Sequence, residues 1–243
     1  MEGFLNKIIK GDCLEVMKDI PSKSIDMILC DLPYGTTACK WDTIIPFPPL
    51  WEQYERVIKD NGAIILTASQ PFTSALIMSN VKLFKYSLVW NKVNASSGLH
   101  AKVQPLRSHE DINIFSKGKM LYNPQMTEAK IRVDKERDIP NGEAFSGKSN
   151  KRIYDNKGFR YPKSVLEFSN ANQHGKVHPT QKPIALFEYL IKTYTNEGET
   201  VLDNCVGSGT TAIACINTNR FFIGIEQDEG YCEIARQRII DNS

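Results

Sequence analysis

The last quarter of the chain constrains the fold most, because strand and helix patterns alternate there without a break. In order, these segments are ETVLDN, TTAIACINT, FFIGIE and DEGYCEIARQRII. Further buried or alternating strand patterns precede them: NKIIKGD, SIDMILCD, AIILTAS, KYSLVWNK and EDINIFSKG. Strands that alternate with helices predict an α/β fold, with a mostly parallel sheet and helices on both faces.

Three further helices are predicted from apolar spacing together with start and stop signals. The pattern LWEQYERVIKDNG predicts a helix that ends at Gly62, because glycine commonly follows a helix C-terminus. Pro71 suits the first turn of the helix PFTSALIMSN. The segment KPIALFEYLIKTYTNEG is amphipathic, so we expect its apolar stripe to pack in the core.

The segment between residues 118 and 176 interrupts this alternation. It has no long apolar period, and it is too long for an ordinary connection. From Lys117 to Lys176 the chain carries 13 Lys and Arg against 7 Asp and Glu, although its net charge is only +2. We therefore expect one domain, formed by residues 1–117 and 177–243, with a basic insert at 118–176. Such a local excess of positive charge suits a nucleic-acid surface, and a solvated loop region is the alternative.

Length and composition are those of an ordinary globular protein. The chain of 243 residues is 41% hydrophobic and 24% charged, and no stretch approaches the roughly 18 apolar residues of a membrane span. The opening MEGFLNKIIKGD introduces charges too early for a secretory signal. We expect a cytoplasmic protein with no membrane partner. The six cysteines form no C-x-x-C pair, and no metal site is predicted.

A glycine turn separates a strand from a helix in VLDNCVGSGTT, residues 201–211. Gly207 and Gly209 let the backbone turn tightly and approach a ligand closely, and the following helix offers free N–H groups. Asp203 suits a cationic group such as an amino-acid ammonium, whereas it would repel a pyrophosphate. Glu226 ends the next strand, where an acid accepts hydrogen bonds from ribose hydroxyls. The combination favours S-adenosylmethionine; a tight turn without a ligand is the alternative.

A second motif, DLPYG, follows the apolar strand that ends on Asp31. Together, DLPYG and VLDNCVGSGTT resemble the two signature motifs of DNA methyltransferases that modify exocyclic amino groups. The catalytic motif precedes the cofactor motif, with a basic insert between them, which is similar to the beta group of that family. Further matches are GDC, VWNK, RSHEDINIFSKG, HPTQKP and FFIGIE. The resemblance covers nearly all of the chain outside the insert.

This resemblance implies a Rossmann-like, S-adenosylmethionine-dependent enzyme that methylates N6 of a flipped-out adenine in double-stranded DNA. Asp31 and the backbone carbonyl of Leu32 would accept the two N–H groups of the amine, so that its lone pair points at the methyl group. Pro33 would restrict the loop, and Tyr34 would stack on the base. The usual family sequence is D-P-P-Y, so Leu32 leaves the loop less constrained. Asp at the first position favours adenine over cytosine.

The resemblance also assigns cofactor residues. Asp12 and Cys13 match the contact to the cofactor's adenine, and Glu226 matches the ribose acid. The segment HPTQKP matches one that closes over the methionine end, where a lysine or hydroxyl can meet a carboxylate; a helix cap at Thr180 is the alternative. The expected set is Asp12, Cys13, Asp31, His178, Thr180, Lys182, Asp203, Gly207, Ser208, Gly209, Thr210 and Glu226.

The basic insert occupies the place where the family reads its DNA target. Its stretch SGKSNKRIYDNKGFRYPKS interleaves positive charges with Tyr154, Phe159 and Tyr161, which suits phosphate neutralisation and base stacking. The expected DNA-binding residues are Lys148, Lys151, Arg152, Lys157, Arg160 and Lys163. At the level of the family, a homodimer and a cognate restriction endonuclease are expected partners.

Two alternatives to adenine methylation stay open. The same chemistry on another planar amino group would modify N4 of cytosine, an RNA base or a glutamine amide. A catalytically silent DNA-binding subunit of the same fold is conceivable because of Leu32, although Asp31, Tyr34 and the glycine turn are intact.

Overall fold

The computed structural model describes residues 1, 3–36, 42–96, 98, 101–133, 155–170 and 181–242. The chain divides into two compact units, one formed by Met1–Asn123 with Ser164–Ser243 and the other by Pro124–Lys163. The smaller unit lies within the predicted insert of 118–176, and the role of that insert in DNA recognition stays a prediction. Among the described residues, every helix is too short or too polar to cross a bilayer.

Among the described residues, strands and helices alternate at both ends of the chain, whereas five strands follow one another in the middle. The strands are β1 (Lys7–Lys10), β2 (Ile25–Asp31), β3 (Ile58–Ala68), β4 (Phe84–Ser96), β5 (Arg107–Phe115), β6 (Thr127–Glu128), β7 (Phe159–Arg160), β8 (Val165–Glu167), β9 (Thr200–Asp203) and β10 (Phe221–Glu226). The helices are α1 (Cys13–Val16), α2 (Phe47–Val57), α3 (Phe72–Ser79), α4 (Ile184–Tyr194), α5 (Thr210–Asn217) and α6 (Glu229–Asp241). A 3₁₀ turn, Met17–Asp19, follows α1.

The larger unit is built on a sheet with the strand order β1-β10-β9-β2-β3-β5-β4-β8. The five strands from β1 to β3 in this order are mutually parallel, whereas β5 runs antiparallel to both β3 and β4. The predicted α/β fold with a mostly parallel sheet is therefore confirmed. In the smaller unit, β6 and β7 form a short antiparallel pair.

The chain changes direction across the sheet between β2 and β9, which are neighbours. From β2 it continues outward to β3, and from β9 it continues the other way to β10. Open α/β sheets bind ligands in the crevice at such a switch point, outside the carboxyl ends of the strands. Ile28 of β2 lies opposite Leu202 of β9, so the register brings Asp31 and Asp203 to this same edge.

Apolar clusters cover both faces of the sheet, because alternate residues of a strand point to opposite sides. Met27 and Leu29 pack in a cluster that includes residues of α4, α5 and α6. Ile28 and Cys30 pack in a second cluster with residues of α2 and α3. The apolar stripe of α4 is buried in the core as predicted, and each such side chain contributes about 1.5–3 kcal/mol.

The prediction of a helix that ends at Gly62 was wrong. Helix α2 ends at Val57, and Ile58 already begins β3 opposite Ile25. Gly62 lies where the register between β2 and β3 shifts, and a Cβ there would come 2.7 Å from the backbone oxygen of Asp26. Glycine is thus needed for close packing within a strand, and this role carries the same local signature as a helix stop.

Candidate active site

A cavity of about 1100 Å³ lies at the carboxyl ends of the central strands. Its turn half is lined by Gly11–Leu14, Asp203–Ser208 and Glu226–Asp228, which follow β1, β9 and β10. Its hairpin half is lined by residues of the antiparallel strands β4 and β5, namely Trp90, Lys92, Arg107 and Glu110. Asp31 at the end of β2 also lines the cavity, and the strand order places it between the two halves.

The carboxylate of Asp31 is held at both oxygens. Its Oδ1 accepts a hydrogen bond from the hydroxyl of Tyr34 at 2.6 Å and another from the hydroxyl of Thr67. Thr67 is the residue of β3 directly opposite Asp31. Oδ2 of Asp31 accepts a hydrogen bond from Nζ of Lys182 at 2.5 Å, and 25% of the Asp31 side chain is exposed. The acid is therefore fixed in orientation but accessible from the cavity.

The loop after Asp31 is ordered by aromatic stacking and by a second acid. The ring of Tyr34 stacks on Phe72, with centroids 5.2 Å apart and planes inclined by 25°. Burial and the nearby charge of Asp31 raise the pKa of Tyr34 well above its usual value, so the phenol stays neutral and donates. Asp42, which sequence reasoning missed, accepts from the backbone N–H groups of Gly35 and Thr36 at 2.8 and 2.9 Å.

Leu32 and Pro33, the two residues between Asp31 and Tyr34, both line the cavity. The side chain of Leu32 packs in an apolar cluster and is 3% exposed. Leucine at this position therefore has a place in the core of the protein, and its backbone carbonyl is unchanged by the departure from D-P-P-Y.

A chain of alternating charges leads from Asp31 into the hairpin half. Nζ of Lys182 lies 3.3 Å from Oε2 of Glu110, whose Oε1 accepts from Nζ of Lys92 at 2.5 Å. The side chains of Lys182, Lys92 and Glu110 are only 7%, 10% and 12% exposed. Burial lowers the pKa of Lys182, but the charges of Asp31 and Glu110 outweigh burial and raise it above its usual value. Lys182 therefore stays protonated.

Lys92 and Glu110 lie in the predicted strands KYSLVWNK and EDINIFSKG, but no role was predicted for either residue. Charge at the end of a predicted strand is a weak signal, and the ion pair between the two residues depends on how the two strands pair. The segment that contains Lys182 was predicted to close over the methionine end of the cofactor, where a lysine or hydroxyl can meet the carboxylate. Nζ of Lys182 contacts Asp31 and Glu110, and its contact to a cofactor stays a prediction.

The glycine turn has the backbone conformation that its sequence predicted. Gly207 and Gly209 have φ angles of 50° and 85°, which favour glycine. A Cβ at Gly209 would also come 3.1 Å from that of Ala235 on α6. Ser208 is buried, and its hydroxyl accepts from Nη1 of Arg238 at 3.0 Å. Arg238, a further residue that sequence reasoning missed, ties the turn to α6.

Two buried or half-buried acids lie beside this turn. Asp203, 3% exposed, accepts from the backbone N–H of Cys205 at 3.0 Å and from the hydroxyl of Thr211. Burial raises the pKa of Asp203 to about 7, although these hydrogen bonds oppose the shift. Glu226 accepts from the backbone N–H of Gly207 at 2.9 Å, and from the two N–H groups that follow it at 2.8 and 2.9 Å.

The remaining predicted cofactor residues line the cavity or lie outside the described residues, and their contact to a cofactor stays a prediction. Asp12 caps α1 by accepting from the backbone N–H of Leu14 at 2.8 Å, and it lines the cavity together with Cys13. Thr210 begins α5 and also lines the cavity. His178 and Thr180 lie outside the described residues.

The predicted DNA-binding residues are only partly described. Lys148, Lys151 and Arg152 lie outside the described residues. Lys157, Arg160 and Lys163 are exposed in the smaller unit. Beside them the rings of Phe159 and Tyr161 are 48% and 74% exposed. Basic and aromatic side chains thus share the surface around β7, and their role in DNA binding stays a prediction.

Residues 25–237 match the sequence model of the N6_N4_Mtase family, described as DNA methylase. The chain belongs to this family. This DNA methylase is 31% identical to the DNA adenine methyltransferase YhdJ of Escherichia coli K12, over 96% of this chain and 82% of that protein. It is 28% identical to the Type II methyltransferase M.HpaI of Haemophilus parainfluenzae, over 96% of this chain and 74% of that protein.

Solved structures agree with this assignment. The M1.HpyAVI–SAM complex is 25% identical to this DNA methylase, with a TM-score of 0.64 over 96% of this chain and 98% of that one. The PvuII DNA methyltransferase, described as cytosine-N4-specific, shares 15% identity and the fold, with a TM-score of 0.72 over 99% of this chain and 90% of that one. The predicted family is therefore confirmed: this is a site-specific, S-adenosylmethionine-dependent DNA methyltransferase.

Proposed function

We propose that this DNA methylase transfers the methyl group to N6 of adenine in double-stranded DNA. The observation that supports this most directly is the carboxylate of Asp31, fixed between the two halves of the cavity and still accessible. Aspartate at the first position of the D-L-P-Y loop favours adenine over cytosine. The similarity to YhdJ, a DNA adenine methyltransferase by name, points the same way.

The cavity fits the methyl donor and a base by size, and its turn half fits the donor by charge. A cavity of about 1100 Å³ exceeds the roughly 300–1000 Å³ of ordinary ligand sites, which leaves room for a cofactor and a base together. Among its described lining residues, the turn half has no lysine or arginine, and its acids are Asp12, Asp203, Glu226 and Asp228. A region of one charge sign attracts the opposite sign, and S-adenosylmethionine carries a sulfonium and an ammonium.

Within this half, Asp203 would hold the ammonium and Glu226 the ribose hydroxyls, while Asp12 and Cys13 would contact the adenine ring. When bound, S-adenosylmethionine supplies a sulfonium methyl group: the new N–C bond forms, the C–S bond breaks with its electron pair on sulfur, and S-adenosylhomocysteine is released. The acids of the turn half favour the charged donor over the less positive product.

On the acceptor side, Asp31 and Leu32 activate the amine. The lone pair on N6 of adenine is delocalised into the ring, so the free amine is a poor nucleophile. When the carboxylate of Asp31 and the carbonyl of Leu32 accept its two N–H groups, a pyramidal nitrogen is favoured. The methylated nitrogen then releases one proton to solvent or to Asp31. A base within a duplex must be flipped out first, and stacking on Tyr34 offsets part of that cost.

The test is to incubate the protein with labelled S-adenosylmethionine and unmethylated genomic DNA, then digest the DNA to nucleosides. We expect the label in N6-methyladenine, and no label when Asp31→Ala protein is used. Label in N4-methylcytosine would overturn the choice of base. Label in added RNA or in a glutamine peptide, with none in DNA, would contradict DNA as the acceptor. A DNA-binding protein that transfers no label would be the silent subunit.

The partners expected from the family are further proposals. A homodimer would be recognised by sedimentation at enzyme concentrations used for assay. A cognate restriction endonuclease would cut unmodified DNA at the same sequence that the methylase protects, so sequencing of the modified DNA gives the site to test.

A further inference from the structure

The hydrogen bonds of Asp31 leave one acceptor position. A carboxylate oxygen has two lone pairs. Oδ1 accepts from Tyr34 and from Thr67, so both of its lone pairs are in use. Oδ2 accepts only from Lys182 among the described residues, which leaves one lone pair. If Asp31 accepts an N–H of the target base, that N–H reaches Oδ2, beside the ammonium of Lys182.

We infer that Lys182 is a positioning residue for Asp31: it holds the carboxylate so that the second lone pair of Oδ2 faces the amine of the target base. This inference rests on the proposed function. Lys182 fixes one oxygen while the two hydroxyls fix the other, so the carboxylate cannot rotate about its own axis without breaking three hydrogen bonds. Misplacement of a reacting group by about 1 Å can cost a factor of 100 in rate.

The rest of the charge chain holds Lys182 in turn. A buried ammonium is costly unless it is paired and hydrogen-bonded, and Lys182 has a carboxylate on each side, with Asp31 at 2.5 Å and Glu110 at 3.3 Å. Glu110 is itself paired with Lys92 at 2.5 Å. These two lysines and two acids alternate, so the four side chains together carry no net charge, and each lies beside an opposite charge.

This arrangement favours a fixed cation over a proton carrier. A lysine that relays protons must lose its own, whereas Asp31 and Glu110 together hold Lys182 in its charged form. Lys182 therefore acts beside Oδ2 of Asp31 as a fixed hydrogen-bond donor, not as a proton relay.

The test compares Lys182→Met and Lys182→Arg with the wild type. We expect kcat of Lys182→Met to fall about 100-fold, with an unchanged Kd for S-adenosylmethionine by calorimetry. Lys182→Arg keeps the charge, and we expect its kcat to be at least tenfold higher than that of Lys182→Met.

Lys59→Met is the matched control, since Lys59 pairs with Asp26 at 2.6 Å and does not line the cavity. A Lys182→Met enzyme with the wild-type rate would overturn the inference. So would a loss of activity caused wholly by weaker cofactor binding, which is the result expected if Lys182 meets the cofactor's carboxylate. If Lys182→Met does not fold, Lys92→Met is assayed in the same way; it should lower kcat less, and no change would also overturn the inference.

The rates are measured on whichever base the wild type methylates. A cytosine product would therefore refute the choice of adenine while the ratio of variant to wild-type rate still decides the role of Lys182.

Discussion

The two halves of the cavity hold their acids in opposite ways. In the turn half, Asp203 and Glu226 accept hydrogen bonds from backbone N–H groups and a hydroxyl, and no lysine or arginine is among the described lining residues there. In the hairpin half, Glu110 lies between the ammonium groups of Lys92 and Lys182. The turn half has acids that neutral donors hold, whereas the hairpin half has one acid, which is already paired with cations.

This difference suggests separate tasks: the turn half attracts the cofactor, and the residues around Asp31 set the orientation of its carboxylate. An acid held by neutral donors keeps its negative charge available to attract an incoming cation. The charge of an acid paired with lysine is already largely neutralised. We therefore expect changes in the turn half to alter the affinity for S-adenosylmethionine and changes around Asp31 to alter the rate of methyl transfer. The variants below test that division, beginning with the largest expected effect.

Asp31→Ala should lower methyl transfer about 1000-fold, because a preorganised group that acts on the transition state is worth a factor of this size. Lys182 keeps Glu110 as a partner at 3.3 Å, so we expect the variant to fold. Its Kd for S-adenosylmethionine, measured by calorimetry, should match that of the wild type. A variant with a near-normal rate would refute the role of Asp31. A loss of affinity for S-adenosylmethionine would mean that Asp31, like the acids of the turn half, contributes to cofactor binding.

Glu226→Gln should weaken S-adenosylmethionine binding about 10- to 100-fold, since a lost hydrogen-bonded charge costs about 1.5–3 kcal/mol. The rate at saturating cofactor should stay close to that of the wild type. Calorimetry and initial rates separate the two quantities. Glu229→Gln is the matched control, because Glu229 forms an exposed ion pair with Lys10 at 2.7 Å. Equal affinities for the two variants would remove Glu226 from the site.

Features of this site that depend on neighbouring residues are predictable from the sequence, whereas contacts between residues far apart in the sequence are not. The left-handed Gly207 and Gly209 and the acid at the end of each strand are local, and both were predicted. The contact between Lys182 and Asp31 joins residues 151 positions apart. It depends on the docking of the segment before α4 against the end of β2, for which no local pattern exists.

The hairpin half was missed for a related reason. Glu110 lies opposite Trp90 because β4 and β5 pair antiparallel, and strand register cannot be read from either strand alone. The wrong prediction at Gly62 has a different cause: its local signal was strong, but the same signal fits two different structures. Glycine after an apolar helical pattern predicts a helix stop, whereas here the backbone oxygen of Asp26 lies where a Cβ would stand.

The pH dependence of cofactor binding should reveal Asp203. Its pKa is raised to about 7 in the folded protein, against about 3.9 in an unfolded chain. The folded state therefore holds an extra proton between these values, and the stability linked to it is complete below pH 4 and lost as the pH rises through 7. The ammonium of the cofactor needs the ionised acid, so we expect affinity to rise about tenfold from pH 6 to pH 8.

Asp203→Asn removes this titration. Its melting temperature without cofactor should fall less than that of the wild type between pH 5 and pH 8, and its cofactor affinity should be weaker and nearly independent of pH. Calorimetry at both pH values, in buffers of different ionisation enthalpy, also counts the proton released on binding. An affinity of the wild type that is flat from pH 6 to pH 8 would contradict the assignment of Asp203.

Thr67→Val gives the smallest expected effect and the sharpest test of the division. It removes one of two hydrogen bonds to Oδ1 of Asp31 while Tyr34 still donates at 2.6 Å, so we expect kcat to fall about fivefold with no change in cofactor Kd. Thr73→Val is the matched control, because Thr73 is also buried and donates to Asp111 at 2.7 Å outside the cavity. Equal rates for the two variants would show that Tyr34 and Lys182 fix the carboxylate without Thr67, whereas a change in Kd would mean that the two halves of the cavity are not separable.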